Sequence, residues 1–386
     1  MAASLLERVR TRLIAGQGEA TAAHVAAALR EEGVLLGDSA VLELVEVLRR
    51  ELLGAGRLDP LLRNPDITDV LVNAPDSVWI DEGAGLIRSD IRFTGEDEVR
   101  RLAQRLAAGA GRRLDDAAPF VDARLANGAR LHAVIPPLSS DGTAISIRIP
   151  RASGFTLEEL SASGSATPMI AELLADVIDC RLSFVISGGT GAGKTTVLGA
   201  LLSRIGDHER LVLVEDSAEL DPRCGHVVRM QARTANVEGA GVITMRDLVR
   251  QSLRMRPDRI CIGEVRGAEV VELLTALNTG HEGGCGTVHA NSASDVPARL
   301  EALALMAGLD RIAVHSLICA GLDCVIHVER LPGGLRSVQG VYALDRDADS
   351  YATVREIAVT RDGHTHIGER GREFISMLKA RRTSTR

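Results

Sequence analysis

Eight consecutive residues, Gly188-Gly-Thr-Gly-Ala-Gly-Lys-Thr195, fit the pattern G-x-x-x-x-G-K-[ST]. Glycines at this density let successive backbone N–H groups curl around an anion, while the lysine adds a compact cation and the hydroxyl a magnesium ligand. The expected ligand is ATP with Mg²⁺. Gly188, Gly189, Thr190, Gly191, Ala192 and Gly193 form the cradle, Lys194 reaches the β/γ oxygens, Thr195 ligates the metal, and Thr196 is counted with them. A cradle alone says nucleotide and not hydrolysis, which needs a carboxylate to orient or deprotonate water. Two apolar runs end in one: Val212-Leu-Val-Glu215-Asp216 and Ile260-Cys-Ile-Gly-Glu264. Glu264 is the expected water-activating base and Glu215 its rival; the plainer reading of either is a solvated strand-end charge. In the second run glycine stands where an Asp commonly holds Mg²⁺ through water, which leaves Glu264 as the strand-end acid; Asp216 and Glu219 are candidates either to hold the metal's water shell or to position a loop. His289 closes the strand of Gly286-Thr-Val-His-Ala-Asn291, at a position suited to sensing a γ-phosphate, and His281 is a weaker second candidate.

These groups need strands and helices in alternation to hold them at one sheet edge. Apolar runs over 182–187, 211–214, 259–262 and 286–288 predict strands, and 194–205, 245–254, 268–277 and 296–306 predict the intervening helices. Such alternation implies βαβ units on a parallel sheet, an α/β fold. Upstream, residues 58–150 read as a smaller α+β domain with strands over 70–72, 78–80 and 144–149 and a helix over 97–106. Residues 1–57 form a helical extension, with an apolar stripe Val41, Leu44, Val45, Leu48 and Leu52 closed by Gly54-Ala-Gly56. Small-residue stretches over 151–168, flanking a short helix that the capping box Thr156-x-x-Glu159 would start, mark a linker; 169–386 is then the nucleotide domain, with a C-terminal extension from 331.

Composition narrows the function classes. The 386 residues are 45% hydrophobic and 25% charged, enough for two or three folded domains. Aromatics are only 2% and the formal net charge is −7, which opposes both a stacking platform for single strands and a global field for nucleic acid. Of the 45 cationic residues only Lys194 and Lys379 are lysines, and one of the two sits where the cradle needs it. No run approaches the roughly 18 uninterrupted apolar residues of a membrane span. The N-terminus lacks the order of a signal peptide, so a cytoplasmic location is expected. Cysteines 180, 224, 261, 285, 319 and 324 form no CxxC pair and are expected as buried reduced thiols without metal.

Four motifs occur in one order: the cradle at 188–195, Val-Glu-Asp-Ser-Ala-Glu-Leu at 214–220, Arg-Pro-Asp-Arg-Ile-Cys-Ile-Gly-Glu-Val-Arg-Gly at 256–267, and Gly-Thr-Val-His-Ala-Asn at 286–291. This order resembles the secretion ATPase superfamily of type II and type IV secretion systems, with its Walker A, Asp box, a Walker B whose Asp is Gly, and His box. The resemblance extends into Asp66–Asn73, 121–137 and 145–148, and is nearest to the tight-adherence (TadA-like, Flp pilus) and conjugal-transfer-associated branch. It implies a RecA-like ATPase domain preceded by a PAS-like N-terminal domain, assembled as a cytoplasmic homo-hexamer. That ring would work on inner-membrane platform proteins, with peripheral membrane association as an option. The resemblance further implies that N-terminal-domain arginines reach the phosphates; Arg130 and Arg148 match best and Arg124 is third. A guanidinium delivered on closure suits a developing γ-phosphate charge, whatever its family origin. The expected function is thus an ATP-hydrolysing motor for pilus assembly, secretion or conjugal transfer. A DNA translocase, which DNA would stimulate, and a nucleotide-gated scaffold, which would not turn over, are the rivals.

Overall fold

A computed structural model of the chain describes residues 27, 29–30, 54–83, 85–149, 154–233 and 241–384. The helical stripe read at 41–52 lies outside the described residues. The chain divides into two units, Met1–Ala152 and Ser153–Arg386.

In the first unit, strands β1 (Asp69–Ala74), β2 (Ser77–Asp81), β3 (Leu86–Arg88), β4 (Phe120–Arg124), β5 (Arg130–Val134) and β6 (Ala144–Arg148) form an antiparallel sheet in the order β3-β2-β1-β6-β5-β4. Alternate residues point one way, so Val70, Val72, Val78, Ile80, Leu131, Ala133, Ile145 and Ile147 are buried together. Helix α1 (Glu96–Gly109) covers that face with Val99, Leu102, Ala103 and Leu106. Its first turn carries Glu96, Asp97 and Glu98, which suit the positive end of the helix. Glu96 also accepts hydrogen bonds from the Thr143 amide (2.7 Å) and hydroxyl (2.6 Å), tying the helix to β6.

The second unit begins with α2 (Leu157–Ala162), started by the expected capping box: the Thr156 hydroxyl accepts from the Glu159 amide, and Glu159 accepts from the Thr156 amide. Leu157 and Leu160 are buried in this unit's core, so much of the stretch expected as a linker is packed structure. There follow α3 (Pro168–Asp179), β7 (Phe184–Gly188), α4 (Lys194–Leu202), β8 (Leu211–Glu215), β9 (Val227–Gln231), α5 (Met245–Ser252), β10 (Arg259–Val265), α6 (Glu269–Leu277), β11 (Cys285–His289), α7 (Val296–Met306) and α8 (Arg311–Gly321). The chain closes with β12 (Cys324–Arg330), β13 (Arg336–Arg346), β14 (Ala352–Arg361), β15 (His364–Ile367) and α9 (Gly371–Ser384).

All nine strands join one sheet, ordered β15-β14-β13-β12-β7-β11-β10-β8-β9. It is mixed: the strands from β12 to β9, in the region where a parallel sheet is expected, pair in parallel, whereas β12 to β15 add an antiparallel meander that the expectation does not include. Short turns join the meander strands, whereas helices join the parallel ones except β8 and β9, which a helix-free loop over 216–226 connects; a short turn reverses the chain. Every residue of β7 and β8 is buried, as strands covered on both faces should be. Phe184, Ile186, Leu211 and Leu213 face α2, α3, α4 and α9, while Val185, Val212 and Val214 face α5 to α8. This sandwich fixes the carboxyl ends of β7, β8, β10 and β11 side by side.

Candidate functional site

The loop between β7 and α4 leaves the sheet centre at Gly188, whose φ is +156°. A Cβ there would run into the Val328 carbonyl, so the close approach of β12 demands glycine. Beyond it the loop is open: no atom lies within 4 Å of where a Cβ on Gly189 or Gly191 would stand. Lys194 folds back over this opening, its ammonium donating to the carbonyls of Gly188 (2.9 Å) and Gly189 (2.8 Å). Burial depresses its pKa, Glu264 partly offsets that, and Arg266 depresses it further. Thr195 and Thr196 follow on the first turn of α4, both half-buried.

Strand β10 brings Glu264 to the cradle through a change of register. Ile262 pairs with Gly286 and Val265 with Val288, so β10 carries one residue more than β11 between those rungs. Such a bulge re-aims a side chain at a strand end. The Thr287 hydroxyl pins it by donating to the Gly263 carbonyl at 2.7 Å. Glu264 Oε1 thereby lies 2.5 Å from His289 Nε2, and Oε2 contacts the Arg266 guanidinium. Beyond that ion-pair contact with the ring, Oε1 is a buried oxygen without a hydrogen bond. His289 stands opposite Gly188 in the register of β11 and β7, and both its ring nitrogens are 3.4 to 3.5 Å from Lys194 Nζ. Burial and then the Lys194 charge hold its pKa below the ordinary value, against the opposing pull of Glu264.

Glu215 has a different environment. It is 2% exposed, and Oε1 accepts from the amides of Glu219 (2.9 Å) and Leu220 (3.0 Å). Burial pushes its pKa up to about 6 against the pull of those two amides. Its side chain also explains the glycine at 263: a Cβ there would stand 2.8 Å from Glu215 Cγ and 3.5 Å from its Cβ. The space an Asp would need is filled from the neighbouring strand. Asp216 Oδ2 is paired with Arg266 Nη1 at 3.1 Å, and its Oδ1 accepts from the Ser217 amide. Arg266 therefore bridges both acidic motifs, a role that sequence reasoning missed although the residue lay within the quoted 256–267 run.

His281 precedes the amino end of β11, away from the strand ends that carry His289 and Gly188; its buried Nδ1 has no hydrogen-bond partner. In the first unit, Arg124, Arg130 and Arg148 stand opposite one another on β4, β5 and β6, and Arg148 stands opposite Asp69 on β1. Like charges placed directly across a sheet repel. Asp69, 3.0 Å from Arg148 Nε, and Asp122, 3.6 Å from Arg130 Nε, offset that. The six cysteines carry free thiols; 180, 261, 285 and 324 are buried and the other two half-buried. Among the described residues no group of three or more His, Cys, Asp or Glu side chains is placed to hold a metal, and no helix is long and apolar enough to cross a membrane.

A strand, a glycine loop and a helix, with a buried lysine resting on loop carbonyls and carboxylates at the neighbouring strand ends, define a P-loop α/β protein. Residues 51–380 match the family described as "Type II/IV secretion system protein", and the chain belongs to that secretion ATPase superfamily. It is 56% identical over 316 residues to a Mycobacterium tuberculosis protein named provisionally for conjugal transfer, an alignment covering 80% of this chain and 90% of the relative. The type IV secretion system protein PtlH of Bordetella pertussis is 30% identical over 303 residues, covering 72% and 89% of the two chains. Among solved structures, the ATPase DotB of Legionella pneumophila superposes with a TM-score of 0.51 at 16% identity, over 84% of each chain, a likeness of fold.

Proposed function

We propose that the chain is an ATP-hydrolysing motor of a secretion, pilus-assembly or conjugal-transfer machine. The observation that carries this reading is Glu264: a carboxylate re-aimed by a bulge, one oxygen buried without a hydrogen bond, beside a histidine and the cradle lysine. An isolated strand-end charge would turn to solvent, whereas a buried oxygen lacking a donor is suited to receive one from water. The loop's amides and the amino end of α4 take the phosphates, and Lys194 exchanges its two carbonyls for phosphate oxygens. Glu264 then accepts a proton from the attacking water, and His289 stands beside it to sense the γ-phosphate. Arg266 has to leave the carboxylate for this to happen. The open loop and the hydroxyl of Thr195 fit a magnesium nucleotide: Thr195 would hold Mg²⁺ directly and Asp216 through water. Mg²⁺ would neutralise the β/γ oxygens and needs few protein ligands. By the same proposal the working form is a cytoplasmic homo-hexamer at the inner face of the membrane, engaged with membrane-embedded partners; relatives named for conjugal transfer and for a type IV secretion system support the link to such a machine.

Glu264→Gln tests it. The variant should retain ATP while turnover falls at least about 100-fold, as loss of a general base does. If Glu215→Gln shows that trapping and Glu264→Gln does not, the base is misassigned.

A further inference from the structure

The segment after 330 carries no recognised motif, yet it touches the cradle. The β12–β13 hairpin pairs Arg330 with Arg336 and Val328 with Val338, and lies alongside β7, where His327 stands opposite Ser187. Three contacts run from the hairpin to the loop. His327 Nδ1 and the Ser187 hydroxyl are 2.9 Å apart at the root of the loop. The Val328 carbonyl occupies the space beside Gly188. Arg336 Nε donates to the Gly191 carbonyl at 3.1 Å, while its stem covers Gly193, where a Cβ would stand 3.0 Å from Arg336 Cδ.

The Arg336 contact reaches further than one bond. In a planar trans peptide the C=O of one residue and the N–H of the next point in opposite directions. The Gly191 carbonyl takes Arg336 from outside, and the Ala192 amide points inward to the Gly189 carbonyl at 3.4 Å. That carbonyl is the one holding Lys194 at 2.8 Å. Hydrogen bonds thus lead from β13 through the 191–192 peptide to the Gly189 carbonyl, the acceptor that the Ala192 amide shares with the lysine.

We propose that Arg336 is a positioning residue for the phosphate cradle. It fixes the 191–192 peptide and keeps the loop in its phosphate-receiving shape before nucleotide arrives. The proposal rests on the nucleotide-site reading above and adds to it a residue outside every motif. Because the brace acts on the loop and not on the base or ribose, it predicts that any polyphosphate feels its loss.

The test uses the full chain and displacement of a fluorescent ADP analogue by Mg·ATP or by magnesium tripolyphosphate. Arg336→Ala removes donor and stem; Arg336→Met keeps methylenes over Gly193 and removes only the donor. Both should weaken ATP and tripolyphosphate by the same factor, about tenfold, the scale of one lost charge-assisted hydrogen bond. KM for ATP should rise to match while kcat stays within about threefold, since ground-state and transition-state binding are lost together. The proposal is overturned if Arg336→Met binds like the natural chain, if ATP weakens and tripolyphosphate does not, or if kcat falls with KM unchanged. Should Arg336→Ala unfold, Arg336→Met decides alone. Lys194→Ala is the separate control: it must abolish displacement, and its failure to do so would overturn the nucleotide site itself.

Discussion

Placing a methyl group at residue 263 tests why the Walker B position carries no side chain. A Cβ there would stand 2.8 Å from Glu215 Cγ and 3.4 Å from its Oε1. Carbon atoms in contact sit about 3.5 to 4.0 Å apart, so the methyl overlaps a buried side chain by most of an ångström. Glu215 is anchored by two backbone amides and can shift only by giving them up. Overpacking of this kind costs about 1 to 3 kcal/mol. For a unit of this size that lowers Tm by about 2 to 10 °C. Glu215→Ala alone is also destabilising, because the Glu219 and Leu220 amides lose their acceptor, at about 1 to 3 kcal/mol each. The informative quantity is the coupling. With Glu215 cut back to Cβ, the remaining Cβ–Cβ distance of 3.5 Å is ordinary contact. The double variant should therefore be more stable than the two single effects summed, by at least about 1 kcal/mol. Urea unfolding of the four proteins measures it. Strict additivity, or a Gly263→Ala protein as stable as the natural chain, would refute the idea that Glu215 fills the missing Asp's place.

The buried carboxylate also predicts a pH dependence. A folded-state pKa of about 6 against 4.5 means the native state binds the Glu215 proton more tightly, so stability falls as pH rises between those values. The difference is about 2 kcal/mol, and Glu215→Gln should remove that part of the unfolding midpoint's shift between pH 4.5 and pH 7.5. If the arginine row of the first unit serves the phosphates, Arg130→Ala and Arg148→Ala should each lower kcat at least about tenfold, with ADP binding nearly unchanged; unaltered turnover in both would remove them from the site. Thr156→Ala deletes one half of the capping box on α2 and should cost about 1 kcal/mol in urea unfolding without altering turnover.

Much of the nucleotide unit was legible because its parallel strands are buried on both faces and read as unbroken apolar runs. Val185 and Ile186, or Val212 to Val214, have no polar interruption to disguise them. The strands of the first unit were harder. Phe120-Val-Asp-Ala-Arg124 and Arg130-Leu-His-Ala-Val134 bury single small or aliphatic residues between polar ones, and each is short. The meander hid for a related reason, since β14 and β15 alternate Thr, Arg and His with modest apolar positions. At the site, spacing located Lys194, Glu264 and His289, but not the relation between Glu215 and Gly263, which depends on two strands lying side by side. Glu215 read as a second base because strand-end carboxylates look alike in sequence; what separates it from Glu264 is which backbone amides its oxygen meets.

The strand order has a consequence for synthesis. The loop-bearing strand β7 lies between β11 and β12, which the ribosome makes roughly 100 and 140 residues later. Until both have emerged, at least one edge of β7 keeps its N–H and C=O groups without a strand to pair with. The strand that leads into the cradle is therefore flanked on both sides only after residue 330 has been made. A truncated product ending before 324 would carry every motif and still lack the strand that flanks the cradle.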